Sequence, residues 1–237
     1  IMKNIGIIAG GNSKEIVISI QSAETVSSLI DKEKFNLYHF HLEDSEWNCV
    51  INEKKIPVNK ADFSFRFNQD IIKIDFALIM IHGTPGEDGL LQAYFDLMKI
   101  PYSTCGFFES ALTFNKQACK IHLKEYGFTV AEDVVVKKGD SYNVHTIAKK
   151  TGLPCFVKPN EGGSSFGITK ATSTDELEKA ISVAMQEDEN VIIETFIEGT
   201  EVTAGVIKTS KNEYLLPPTE IDTKNDFFDY DAKYEGM

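Results

Sequence analysis

The strongest constraint on the fold is a pattern of short apolar runs that end directly in glycine-bearing loops. Lys3–Ala9 runs into Gly10-Gly11, and Asp75–Ile81 runs into His82-Gly83-Thr84-Pro85-Gly86-Glu87-Asp88-Gly89. A strand that is apolar at successive positions, rather than at every second one, is covered on both faces, as parallel strands between helices are. Open α/β sheets of that kind hold their ligands in loops at the carboxyl ends of the strands. His82 and Glu87 therefore become candidate site residues, while Asp88 fits the N-terminus of a helix over Leu90–Lys99. After Gly11 the sequence predicts another helix. Asn12 and Glu15 have capping-box spacing, and Ile16, Ile20 and Ala23 share a helical face. Gly6, Gly10 and Gly11 do not make a GxGxxG dinucleotide fingerprint.

A third loop carries a different chemistry. Cys155-Phe156-Val157 delivers Lys158 to a strand end, and Pro159-Asn160-Glu161-Gly162-Gly163-Ser164-Ser165-Phe166-Gly167 follows. An ammonium, small side chains, two hydroxyls and glycines that let backbone N–H groups approach closely suit an anion such as phosphate. It is not a Walker A loop: Ile168-Thr169 stands where Lys-Ser/Thr would be needed, and the lysine lies upstream. Taken alone, the same loop also reads as a plain connection. Lys116, at the start of a helix predicted over Gln117–Tyr126 and closed by Gly127, opposes the helix dipole, which gives it weight as a ligand residue. Beyond the strand Val191–Glu194, the stretch Glu194-Thr195-Phe196-Ile197-Glu198-Gly199-Thr200-Glu201 mixes carboxylates with apolar groups able to hold a flat heterocycle.

Composition narrows the partners. The net charge of −12 over 237 residues opposes binding to a nucleic-acid backbone or an anionic membrane, so any basic site must be local. The longest apolar run, Phe76–Ile81, is too short to span a bilayer, and Ile5–Ala9 lacks the features of a signal peptide. Cys49, Cys105, Cys119 and Cys155 are scattered, without CxxC or metal-ligand spacing, as in a reduced intracellular protein. A cytoplasmic location is expected. Elsewhere, Trp47–Ile51 and Ile56–Val58 predict a decorative hairpin, Phe63–Phe67 a satellite cluster, and Ile100–Ser103 a short strand. Strands are also expected over Thr129–Val136, Gly152–Lys158, Val202–Lys208 and Tyr214–Leu216, with a helix over Asp175–Met185 capped by Ser173 or Thr174. The aromatic and charged stretch Phe227–Met237 reads as a loop that closes on something.

These motifs, in this order, resemble the D-alanine–D-alanine ligases of the ATP-grasp superfamily over essentially the whole chain. Gly10-Gly11-x-Ser13-x-Glu15 is similar to the family's first substrate loop, His82-Gly83 with Gly86–Gly89 to its second, Asn115-Lys116 to its first phosphate lysine, and Lys158-Pro159 with Gly163-Ser164-Ser165-x-Gly167 to its phosphate-covering loop. Glu194–Ile197 and Glu201 resemble the nucleotide hinge and ribose acid, and Tyr230–Tyr234 the mobile loop.

The resemblance implies an N-terminal open parallel-sheet α/β domain over residues 1–105, a central α+β ATP-grasp subdomain over 106–197, and the start of a C-terminal subdomain over 198–237. It implies ATP-dependent joining of two D-alanines through an acyl phosphate, for peptidoglycan precursors. Glu15 would take the ammonium of the first D-alanine, with Ser164 and Tyr234 hydrogen-bonded to it and His82 close by. Lys116, Lys158, Ser164, Ser165, Glu194, Phe196, Ile197 and Glu201 would hold ATP, and Lys233 would arrive with the loop. In this family a tyrosine at position 234 goes with an amine as second substrate, which favours D-alanine over D-lactate.

Phe166 replaces the usual smaller aliphatic, and Phe196 stands where a larger aromatic often packs. The family also continues beyond the point matching Met237 into a region carrying a catalytic arginine and the ligands for Mg2+ (or Mn2+). The expectation is therefore a truncated, inactive ligase with no metal ligands of its own, and a possible homodimer. A non-catalytic nucleotide-binding fragment, another ATP-grasp carboxylate–amine ligase and a plain α/β binding protein remain open as alternatives.

Overall fold

The computed structural model describes residues 2–163 and 165–222, which excludes Ser164, Phe227–Met237 and, with them, Lys233 and Tyr234. The chain forms two compact units. The first comprises Ile1–Phe128 with Glu161–Gly163, and the second takes in Thr129–Asn160 and resumes after Gly163.

The first unit begins with β1 (Lys3–Gly10), α1 (Ile16–Leu29) and β2 (Phe35–Glu43), and β1 and β2 pair in parallel. β3 (Glu46–Ile51), β4 (Lys54–Asn59), β5 (Ser64–Phe67) and β6 (Asp70–Ile72) then run back and forth beside β2, before β7 (Phe76–Ile79) pairs in parallel with the free side of β1. The sheet order is β6-β5-β4-β3-β2-β1-β7. This open sheet is parallel at β2, β1 and β7, where the predicted site loops emerge, and antiparallel across the meander. The unit closes with α2 (Leu90–Met98), α3 (Phe107–Phe114) and α4 (Lys116–Glu125).

The unbroken apolar run of β1 has a simple cause. Ile7 and Ala9 pack with Ala23 of α1 on one face, while Ile8 joins Phe40, Leu42, Phe63, Phe65, Leu91 and Phe95 on the other. The buried face of α1 is Ser19, Ala23 and Ser27, and such small side chains let the helix lie close to the sheet. Ser19 Oγ also accepts a 3.0 Å bond from the Gly10 backbone N–H, tying the helix to the end of β1.

Several sequence expectations change. The Asn12–Glu15 capping box does not form: α1 starts at Ile16 without a side-chain cap, and Asn12 Oδ1 instead accepts from the Asp44 N–H at 2.7 Å. The 46–59 hairpin, with Asn52 and Glu53 both at positive φ in its turn, is not decoration. Val58 belongs to the main core, and Trp47 and Ile56 pack against it. Phe63 is fully buried there, 4.9 Å from the Phe40 ring and 5.1 Å from Phe95, so 63–67 is not a satellite. Ile100–Ser103 contributes only the bridge Ala77↔Tyr102, and the sequence reading did not anticipate α3.

The second unit has β8 (Asp133–Lys137), α5 (Val144–Thr151), β9 (Cys155–Pro159), β10 (Thr169–Ala171), α6 (Thr174–Ala184) and β11 (Asn190–Thr195). Its four strands are all antiparallel, in the order β10-β9-β11-β8. Cys155, Val157, Val191 and Ile193 pack with Leu177, Ala180, Ile181 and Ala184 of α6 and Ile147 of α5. Ser173 caps α6 by accepting from the Glu176 N–H, and Glu176 Oε2 reaches back to the Thr172 N–H at 2.8 Å, just before the cap. Two small ribbons follow, one pairing β12 (Val202–Thr203) with β15 (Thr219–Glu220) and the other β13 (Val206–Lys208) with β14 (Glu213–Leu215). Their residues are exposed.

Candidate functional site

In the first unit, the loops after β1 and β7 are bound to each other. The Asn12 N–H donates to Thr84 O at 2.9 Å, and Ser13 Oγ donates to His82 O at 2.8 Å. The Glu15 N–H in turn donates to Ser13 Oγ at 3.2 Å. The approach is close enough to require glycine. A Cβ on Gly83, where φ is +73°, would lie 2.8 Å from Ser13 Cβ. The second loop is also closed on itself, since Gly83 O accepts from the N–H groups of Gly86 and Glu87, and Glu87 Oε2 accepts from the Gly83 N–H at 2.7 Å. Glu87 thus braces its own loop. Asp88 Oδ1 accepts from the Leu90 N–H at 3.1 Å, serving the start of α2 as the sequence predicts.

Glu15 is only 5% exposed. A carboxylate is kept in such a place only when a cation or several donors meet it. Both of its oxygens lie 3.5 Å from where a Cβ of Gly163 would stand, so the glycine-rich segment passes directly over the carboxylate.

Asn115 and Lys116 meet the same segment. Asn115 Oδ1 accepts from the Ala118 N–H at 2.9 Å to cap α4, while its amide donates to Glu161 Oε1 at 2.8 Å. Lys116 Nζ donates to Gly162 O at 2.9 Å. At its far end α4 closes as a Schellman turn, with the Phe128 N–H on Leu123 O and Gly127 at φ +82°. Glu87, Thr113, Phe114, Lys116, Gly162 and Gly163 line a pocket of about 280 Å3. Thr113 and Phe114 escaped the sequence reading because α3 itself did.

In the second unit the candidates lie on the sheet face turned away from α5 and α6. Strand alternation puts Cys155 and Val157 inward and Phe156 and Lys158 outward. The register sets Lys158 opposite Ile192, and Phe156 between Lys170 and Glu194. Lys158 Nζ pairs with Glu194 Oε2 at 2.7 Å, their side chains 25% and 13% exposed, and stands 5.3 Å over the Phe156 ring. Phe196 lies 5.9 Å from Phe156, with Lys170 Nζ 4.8 Å over its ring. Lys158, Glu194 and Phe196 are therefore brought together.

Phe156 and Lys170 were not singled out from the sequence, although alternation along β9 and a β9–β10 pairing would have found both. Ser165 sits in a turn at φ +62°, and Ile197 and Glu201 follow on exposed chain after β11. Ser164, Lys233 and Tyr234 lie outside the described residues.

Two family models match: "D-ala D-ala ligase N-terminus" over residues 4–105, and "D-ala D-ala ligase C-terminus" over residues 119–237. The chain belongs to the D-alanine–D-alanine ligase family. It is 48% identical to the D-alanine–D-alanine ligase of Phocaeicola vulgatus, covering 99% of this chain and 72% of the relative, and 50% identical to that of Flavobacterium johnsoniae, covering 99% and 73%. Among solved structures it is similar to the VanG D-Ala:D-Ser ligase of Enterococcus faecalis (TM-score 0.80, 33% identity, 99% of this chain and 74% of that one). It is also similar to the D-alanine–D-alanine ligase of Bacillus anthracis complexed with ATP (TM-score 0.72, 28% identity, 92% and 66%). The chain is thus a ligase of this family spanning nearly three quarters of the length of these curated relatives.

Burial pushes the Cys49 thiol up to about 12 and raises that of Cys155, so neither is a nucleophile at neutral pH. No helix among the described residues is long and apolar enough to cross a membrane. Among those residues no three His, Cys, Asp or Glu side chains gather where they could hold a metal ion.

Proposed function

We propose that this ligase joins two D-alanine molecules at the expense of ATP, to supply the dipeptide of a peptidoglycan precursor. The observation that carries the reading is the buried carboxylate of Glu15, set where the loops of two parallel strands meet and roofed by a glycine-rich segment. A carboxylate in that setting suits the ammonium of a small amino acid. Glu15 orients the first D-alanine and His82 lies beside it. The carboxylate oxygen of that D-alanine attacks the γ-phosphorus of ATP, breaking the bond to the bridging oxygen and releasing ADP. The free amine of the second D-alanine then attacks the acyl phosphate carbon. Phosphate leaves, the amine loses a proton, and the new amide is the peptide bond.

Positive charge is needed wherever the phosphates bear negative charge, and preorganised donors in a dry site do most of that work. Lys116 and Lys158 are assigned to the α- and β-phosphates, with Ser164 and Ser165 covering them. Glu194, Phe196 and Ile197 hold the base, Glu201 the ribose, Lys233 the transferred group, and Tyr234 closes over Glu15. The proposed functional division is 1–105 for binding the amino-acid substrate, 106–197 for the central ATP-grasp subdomain and 198–237 for the start of the C-terminal one, with the protein cytoplasmic. Magnesium or manganese is expected of the family. Among the described residues no set of ligands for such an ion gathers.

ADP release in the full-length gene product should be stimulated by D-alanine and not by D-lactate. Absence of D-alanine stimulation sinks the substrate assignment. Stabilisation of this chain against heat by a non-hydrolysable ATP analogue should disappear in Lys158→Ala. If that variant responds like the wild type, Lys158 is not a nucleotide residue.

A further inference from the structure

Gln92 is completely buried in α2, among residues that are otherwise core, and nothing in the proposed chemistry uses it. Burying a primary amide costs about 1–3 kcal/mol for each group left unpaired, so its presence needs a reason. Its Nε2 donates to Gly86 O at 2.5 Å and to Thr104 Oγ1 at 3.0 Å, whereas its Oε1 has no hydrogen-bond partner among the described residues. An apolar side chain would avoid that orphan oxygen, but it would leave the Gly86 carbonyl without this donor. Gly86 is the inner corner of the second loop. Its N–H holds Gly83 O at 2.8 Å, and a Cβ on it would lie 2.6 Å from Ile81. From Gly83 the connections continue through His82 O to Ser13 Oγ, and from there to the Glu15 N–H.

We infer that Gln92 is a positioning residue for the first amino-acid substrate: by holding the Gly86 carbonyl from inside the core, it fixes the 82–89 loop that presents His82 and braces Glu15. This rests on the reading of Glu15 as the ammonium-binding group. The amide touches neither substrate, so its action should fall on amino-acid binding and not on the nucleotide.

The test uses the full-length gene product and steady-state kinetics with D-alanine and ATP varied separately. Gln92→Leu keeps the volume and removes the donor. The KM for D-alanine should rise roughly tenfold while the KM for ATP stays within about twofold, as expected when one hydrogen bond that orders a substrate loop is lost. Thr104→Val removes the amide's other partner and should leave both constants near wild type. Unchanged D-alanine KM in Gln92→Leu, or equal rises in both constants, overturns the inference. Glu15→Gln separates it from the underlying reading: if that variant does not impair D-alanine use, the site assignment falls, whereas an effect in Glu15→Gln without one in Gln92→Leu removes Gln92 alone. Should Gln92→Leu fail to fold, the wild-type protein still decides. The Gln92 side-chain amide resonance should move on adding D-alanine, and a resonance that stays put counts against the role.

Discussion

The two units hold their candidate residues by different means. Around Glu15 in the first, the grip is largely backbone: the Asn12 N–H meets Thr84 O and Gly83 O holds Gly86 and Glu87, with Ser13, Glu87 and Gln92 as side-chain struts, and a Cβ on Gly83 or Gly86 would meet its neighbours too closely. In the second, an ordinary antiparallel sheet presents Phe156, Lys158, Lys170 and Glu194 on one face, and side chains pair directly with one another. A backbone-built site is preorganised and tolerates almost no change of shape. A side-chain site depends on which groups are present and can adjust by rotamer.

The largest expected effect of breaking the first arrangement is Glu15→Gln. It keeps the shape and removes the charge, and a buried ionic interaction with an ammonium that loses one partner costs about 3–5 kcal/mol. D-alanine-dependent ADP release by the full-length gene product should fall by roughly 100- to 1,000-fold or more in kcat/KM for D-alanine. A fall below tenfold would show that the carboxylate is not the main anchor.

Next comes Gly83→Ala, set against Gly139→Ala. Both glycines have positive φ, +73° and +93°, so each alanine pays about 1–2 kcal/mol for a left-handed backbone. At Gly139 a new methyl meets nothing within 4 Å, whereas at Gly83 it overlaps Ser13. Gly83→Ala should therefore cost roughly 2–4 kcal/mol in denaturant unfolding and Gly139→Ala no more than the backbone share. Equal losses would mean that the loops around Gly83 yield freely, against the picture of a rigid backbone site.

The contrast also governs what could be read in advance. The apolar run Cys155-Phe156-Val157 made the segment legible as a strand delivering Lys158 to its end, and the cap of α6 was narrowed to Ser173 or Thr174, of which Ser173 caps it, because a cap and its helix are local in sequence. Ser173→Ala should cost about 1 kcal/mol, measurable as a small drop in the melting temperature. The closed second loop, the Ser13–His82 bridge and the Gln92–Gly86 bond join groups whose pairing depends on tertiary geometry, and no local period announces them. Asn12 illustrates the failure: its capping-box spacing was genuine, but the Asp44 N–H, 32 residues away, took its side-chain oxygen. The 46–67 segment was undervalued for the same reason, since its aromatics become core only once Phe40 and Phe95 are beside them.

The smallest effect expected distinguishes the units by pH. His39 and His41 lie half-buried on β2 of the first unit, and burial, as the first cause, holds both below the usual histidine value; their mutual repulsion adds to this for His39, whose Nε2 is 2.9 Å from Ser27 Oγ. Between the depressed folded-state value and about 6.5, the unfolded chain binds more protons than the folded one, so stability rises with pH across that window. The contribution is fully present above about pH 6.5 and is lost as pH falls through the window, levelling once the folded-state imidazoles are protonated as well. The second unit contains only His145, which is exposed, and lacks this source of acid sensitivity. Trp47 is the only tryptophan in the sequence and lies in the first unit, packed edge-on against Tyr94 at 5.1 Å, so its fluorescence follows that unit alone. The Trp47-detected urea midpoint should fall between pH 7 and roughly pH 5.5, where carboxylates are still mostly ionised, and His39→Gln, which keeps a polar partner for Ser27, should flatten the fall. A wild-type midpoint that stays level across that range would show that burial of these two imidazoles costs the first unit nothing on protonation.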